Sequence, residues 1–200
     1  KEPEDPIRQE NGMVIKIDLS RDDVPENDTF QLYSSGNGYI WIDWGDGTPS
    51  EEVNLTDINV PISHQYDNKT NYEITVYGQE NNPNQKISFG SGSEKSETNK
   101  YLEEIVSWGD LRLVSLSGAL NSTRDTLTVP NELPSTVKDL SYLLHDSDVS
   151  DVVNIGDWNT SNVENMSFMF YLAENFDGDI SNWNTSKATN MSSMFRGAVA

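Results

Sequence analysis

The segments 155–175 and 180–200, laid over each other at an offset of 25, are identical at 11 of 21 positions. This repeat constrains the fold more than any other feature of the chain. A period of this length means small units stacked on one another, because none of them buries its apolar face alone. The repeated positions are Ile155 and Ile180, then Trp158-Asn159-Thr160-Ser161 over Trp183-Asn184-Thr185-Ser186. Asn165-Met166-Ser167 over Asn190-Met191-Ser192 follows, then Met169-Phe170 over Met194-Phe195, and Ala173 over Ala198. A weaker copy lies one unit earlier, where residues 137–144 align with 163–170 at an offset of 26. Further back, residues 105–110 echo 153–158, and units before residue 130 are irregular, as expected where an array begins and is capped.

Each unit reads as a short extended stretch followed by a short helix. Ser161 with Glu164 has the spacing of a capping box, which predicts a helix starting near Asn162. Val163, Met166, Met169, Phe170 and Ala173 then fall on one helical face, so the Met166, Met169, Met191 and Met194 stripe is expected as core. Asp177-Gly178-Asp179 reads as a turn, and Ile180 to Trp183 as the extended entry into the next unit.

The N-terminal half carries a different rhythm. From Met13 the apolar residues alternate, with strands expected from Val14, at Phe30–Tyr33, Tyr39–Trp44, Tyr72–Tyr77 and Lys86–Phe89. The strongest of these ends on Gly45-Asp46-Gly47-Thr48-Pro49, a turn signal. Short strands at this spacing predict a small β-sandwich.

Two family resemblances rest on these residues. Trp44-Gly45-Asp46-Gly47-Thr48, His64-Gln65-Tyr66 and Tyr72-Glu73-Ile74-Thr75-Val76 together resemble the pattern of PKD-type immunoglobulin-like domains over about residues 13–90. The resemblance implies an extracellular spacer or interaction module and gives His64 a structural role. Trp158 through Ala173, then Phe176-Asp177-Gly178-Asp179-Ile180, resembles the leucine-rich-like repeat of BspA-like bacterial surface proteins. Ala188 departs from that pattern, which has Val there. A PKD-like module ahead of such repeats implies a surface lipoprotein of Bacteroides-type bacteria, with adhesion or host interaction as its role.

Composition narrows the chemistry. Asp and Glu number 33 against 13 Lys and Arg, a net charge of −20, and the acids are spread over both halves. Such a surface repels phosphate backbones and anionic lipid, which excludes nucleic acid as a partner. Cysteine is absent, removing disulfides, thiolate zinc sites and cysteine nucleophiles together. No apolar run is long enough for a membrane span. The chain opens Lys1-Glu2-Pro3-Glu4-Asp5-Pro6 without Met, which reads as a start from which any export signal has been removed. Membrane attachment is expected only through a lipid anchor outside this sequence.

Candidate chemical groups are few. Asp43 and Asp46 flank a turn beside two tryptophans; they read either as an acid–base or calcium pair or as turn caps. Asp177 and Asp179 resemble the start of a calcium loop whose remaining ligands are missing. His64 and His145 have no metal-binding spacing around them, and His145 reads as a helix C-terminal cap. Trp158 and Trp183 recur one repeat apart, as core ladders or as exposed aromatic platforms for ligands. Asn165-Met166-Ser167 is one of several glycosylation-like triplets that an Asn- and Ser-rich chain produces by chance.

The reading is therefore a tether at 1–12, a PKD-like β-sandwich at 13–90, a polar linker at 91–99 and an α/β leucine-rich-like repeat solenoid at 100–200. Expected function is non-enzymatic: a cell-surface binding or adhesion protein for host or bacterial surface proteins, without cofactor. The alternative is a carbohydrate-binding accessory of a polysaccharide-utilisation system.

Overall fold

A computed structural model describes residues 11–25, 28–55, 61–80, 82–124 and 126–200; most of the expected tether lies outside them. Strands β1 (Met13–Asp18), β2 (Thr29–Leu32), β3 (Ser34–Gly36), β4 (Tyr39–Asp43), β5 (Glu51–Asn54), β6 (Ile62–Gln65), β7 (Asn71–Tyr77) and β8 (Ile87–Phe89) make up the N-terminal half. Strands β9 (Leu102–Ser107), β10 (Leu113–Ser115), β11 (Leu127–Thr128) and β12 (Val152–Val153) follow, with two single turns of 3-10 helix.

The alternation read from sequence points side chains as its period requires. Met13, Ile15 and Ile17 of β1 are buried, as are Ile40 and Ile42 of β4 and Tyr72, Ile74 and Val76 of β7. The largest sheet has the order β12-β11-β9-β1-β7-β4-β5. In it β1 pairs antiparallel with both β7 and β9, setting Ile15 opposite Ile74 on one side and Ile105 on the other. Strand β9 lies beyond the expected linker, so this sheet crosses the expected domain boundary. Residues 91–99 are tied down on both sides. Gln31 N donates to Thr98 Oγ1 at 3.1 Å, and the buried Asn99 donates through Nδ2 to the carbonyls of Ala119 and Asn121 at 3.2 and 3.0 Å. A single buried cluster runs from Met13 to Met194.

The expected sandwich followed by an α/β solenoid is corrected by the structure. The chain is nearly all β in several sheets, with 29% strand, 3% helix and no helix of seven or more residues, and neither a solenoid nor a closed barrel is formed among the described residues. The helix expected at Asn162 is absent because its backbone donors go elsewhere. Ser161 N bonds to Asn159 Oδ1 rather than entering a capping box, and the Glu164 and Asn165 N–H groups both donate to Lys138 O. Met166, Phe168, Phe170 and Leu172 donate to the carbonyls of Asn190, Ser192, Met194 and Arg196 at 2.8–3.0 Å. The intervening Tyr171 and Ala173 donate back three residues, to Phe168 and Phe170. Alternate N–H groups thus leave for the neighbouring unit, and the rest close local turns.

The same scheme recurs in register. Leu140, Tyr142, Leu144 and Asp146 donate to Asn165, Ser167, Met169 and Tyr171, and Leu116, Gly118, Leu120 and Ser122 to Asp139, Ser141, Leu143 and His145. Single parallel bridges join Ser115 to Asp139, Asp139 to Asn165 and Asn165 to Asn190. Each rung also repeats two left-handed residues. The first set is Gly118, Tyr142, Phe168 and Ser193 (φ 69°, 58°, 57° and 54°), the second Ser122, Asp146, Leu172 and Gly197 (φ 58°, 55°, 58° and 83°). Turns this tight require a positive φ whichever residue occupies the position.

The repeated Asn residues start these turns. Asn165 Oδ1 accepts from Ser167 N at 3.1 Å and Asn190 Oδ1 from Ser192 N at 3.1 Å, while Asn159 and Asn184 do the same for Ser161 and Ser186. The Asn-x-Ser triplets are Asx turns, in which the side chain takes the place of a backbone carbonyl.

Candidate functional site

The aspartates singled out from sequence act as turn builders. Asp43 Oδ1 accepts from Gly45 N at 3.1 Å, Asp46 Oδ1 from Thr48 N at 3.0 Å and Asp179 Oδ1 from Ser181 N at 2.9 Å. Asp177 is exposed, with its N–H on Ser150 O. Among the described residues no three His, Asp or Glu side chains converge to hold a metal ion. Gly45 permits the first of these turns, because a Cβ there would strike the Glu73 carbonyl and its φ is 78°.

Asp46 also meets His64, with Oδ2 and Nε2 2.7 Å apart. The His64 ring lies flat against Trp44, centroids 4.8 Å apart, and Tyr66 donates its hydroxyl to Trp44 O at 2.9 Å. Burial alone would raise the Asp46 carboxyl, but hydrogen bonds from Thr48 and His64 outweigh it and hold it at about 2. The group joins the turn after β4 to β6 of the two-stranded sheet.

Trp158 is 2% exposed and its Nε1 donates to Pro130 O at 2.8 Å, so its ring is enclosed by the protein. Trp183 is half-buried and repeats the bond one unit later, to Ile155 O at 3.0 Å. Each indole ties its unit to the preceding one. Met166 and Met169 are fully buried, Met194 is 4% exposed and Met191 is 43% exposed.

The structure gathers a different set of aromatic residues on the surface of the repeats. Tyr142 and Phe168 lie ring on ring, 4.9 Å between centroids and 1° from parallel. Beside them His145 and Tyr171 meet at 5.3 Å, and Arg196 lies over the outer side of Tyr171 at 5.9 Å. All four rings are half-buried, and Leu172 next to them is 37% exposed. The His145 imidazole is held below its ordinary pKa by burial, partly offset by Asp146, so it faces this surface uncharged at neutral pH. The face forms only because rungs stack, Tyr142 on Phe168 and His145 beside Tyr171. With a four-residue turn period Met166 and Phe170 go inward together, and Phe168 and Leu172 go outward together.

A second surface feature is a polar groove of about 640 Å³ where the N-terminal sheets meet the first repeats. Its floor is the sheet ordered β10-β8-β3, in which Ser35 pairs with Ser88 and Ser88 with Ser115. Tyr33 forms one wall, Ser117 continues the floor and Lys95 lies at the rim. Gly90 lets this wall close in, since a Cβ on it would strike the Ser117 carbonyl at a φ of 117°. The sequence reading places Tyr33 and Ser88 in strands, Ser91 to Lys95 in the linker and Ser115 and Ser117 in the repeat region, and brings none of them together.

Residues 116–200 match the model of a family described as a Mycoplasma protein of unknown function, DUF285. The match spans the stacked rungs, including the aromatic face, and leaves out the N-terminal strands. No curated protein and no solved structure matches the chain.

Proposed function

We propose that this chain is a non-catalytic binding protein displayed at a bacterial cell surface, where the aromatic face of its repeats engages a protein partner. The observation that carries the reading is the cluster of Tyr142, His145, Phe168 and Tyr171 with Arg196 at its edge. Tyr and Arg anchors at the centre of an interface carry most of its energy, and rings already stacked on one another lose little entropy on binding. Hydrogen bonding from rung to rung fixes the spacing of the cluster before any partner arrives. The resemblance of the repeats to BspA-like surface proteins supports the surface location.

The test is a plate-binding assay of the intact chain on immobilised host extracellular-matrix proteins, with a Tyr171→Ala, Arg196→Ala double variant beside it. The wild type is expected to bind and the variant to lose at least about tenfold in affinity. Equal binding by the two would move the site away from this face. Turnover of any substrate by the chain would overturn the non-catalytic reading.

A further inference from the structure

We propose that the polar groove between the N-terminal sheets and the first repeats is a binding site for an uncharged oligosaccharide. It uses none of the residues of the aromatic face.

The argument starts from the groove's size and lining. A volume of about 640 Å³ falls within the range of sites that hold a small molecule. Its floor is unusual in chemistry. Ile87 and Phe89 point into the core, which turns Ser88 and its partner Ser35 outward, and a register shift in β10 between Leu113 and Ser115 sets Ser115 beside Ser88. They form a row across three strands, one strand spacing of about 4.8 Å apart. Among the described residues neither the Ser35 nor the Ser88 hydroxyl has a hydrogen-bond partner, whereas Ser115 donates to Asp139 at 3.3 Å. Unpaired hydroxyls in a concave, partly enclosed site look for groups that both donate and accept, because each carries one O–H and two lone pairs.

A chain of sugar hydroxyls answers that description better than the other ligand classes. An apolar ligand would strip water from the serines without replacing it. An anionic one would meet a chain of net charge −20, with Glu94 at the rim. Lys95, the one cation among the described residues lining the groove, is already paired with Asp146. Tyr33 completes the site. Burial, with Glu97 and Glu94 nearby, raises its pKa, so the phenol stays neutral, and it donates to Gln31 Oε1 at 3.2 Å. That bond fixes the ring as a wall against which a pyranose face can lie.

The experiment probes a printed array of neutral, sialylated and sulfated glycans with the intact chain, its Ser88→Ala and Ser35→Val variants, and Tyr171→Ala. Ser88→Ala removes a single oxygen atom, and valine suits an outward strand position, so folding is preserved in at least one of the two. Retention on one or more neutral glycans is expected, weakened about tenfold in the serine variants and unchanged in Tyr171→Ala. Three results would overturn the proposal: no neutral glycan retained, retention confined to charged glycans, or retention untouched by both serine variants. Loss in Tyr171→Ala alone would assign the sugar to the aromatic face instead. Because matrix-protein binding is measured on other residues, the two readings fail independently.

Discussion

Tyr142 and Phe168, 26 residues apart in sequence, share a left-handed backbone and lie ring on ring at 4.9 Å. A bulky residue in that conformation costs about 1–2 kcal/mol, which the stacking and the four rung-to-rung hydrogen bonds offset. The strain reverses a familiar order. Phe168→Ala loses the ring and keeps the strain, while Phe168→Gly loses both. The glycine variant is expected to be the more stable by about 1 kcal/mol, measured by urea unfolding. Alanine ranking above glycine would return residue 168 to a helix.

Phe170 is fully buried between Phe176 and Phe195, with ring centroids at 4.6 and 5.2 Å. Phe170→Ala is expected to cost about 3–5 kcal/mol, because neighbouring rungs held by backbone bonds cannot collapse into the space. Thermal unfolding close to that of the wild type would place the ring outside the core.

Asn99 closes the first rung from the other side. Its amide donates to two carbonyls, those of Ala119 and Asn121, in a site where the residue is 7% exposed. Asn99→Asp keeps the shape but sets a carboxylate against those oxygens. A loss of about 3 kcal/mol or more is expected, with faster amide exchange through 116–122 as its local signature. Unchanged exchange there would mean that the 91–99 segment does not hold the rungs.

Asp46 gives the chain an acid-sensitive element. Its carboxyl is held at about 2 in the folded state, below the ordinary 3.8, so the unfolded chain binds the proton more readily. The stabilisation is complete above the ordinary value and is lost as pH falls toward 2. Asp46→Asn is expected to be less stable near neutrality, with a flatter dependence than the wild type below about pH 4. Urea titrations stepped down to about pH 2 measure both, and parallel curves for the two proteins would show that Asp46 contributes nothing to acid unfolding.

Much of this architecture could be read in the sequence, and its limits have a physical cause. The strands at Tyr39–Asp43 and Asn71–Tyr77 declared themselves because period-two alternation has no competing reading. The repeat was equally plain, yet its conformation was misread. Turns that recur every four residues put Met166 and Phe170 on one side, and an α-helix does almost the same. Only the destination of the backbone N–H groups separates the two, and that lies 23–25 residues away. The aromatic face has a different cause, since Phe168 and Tyr171 share a side in either register and become a patch only when Tyr142 stacks on Phe168 and His145 meets Tyr171 from the preceding rung. The groove had no sequence signal, because Ser35, Ser88 and Ser115 become neighbours only through strand pairing.

The hydrogen bonds between turn stretches have one more consequence. Within these stretches each runs from an N–H in the earlier rung to a carbonyl in the later one, as from Leu120 to Leu143, Leu144 to Met169 and Phe170 to Met194, while just before them Lys138, Glu164 and Thr189 donate the other way. Strand dipoles alternate and largely cancel in an ordinary sheet, but here they add, as they do along a helix. The ladder therefore has a direction. A copied rung inserted between two others finds on each side the donors and acceptors that its original found, and its neighbours need not change. An inverted rung would set donor against donor. Tandem duplication of a stretch of about 25 residues is thus a genetic event that this geometry accepts without repair, and the 11 positions still shared by the last two units are what such a copying would leave.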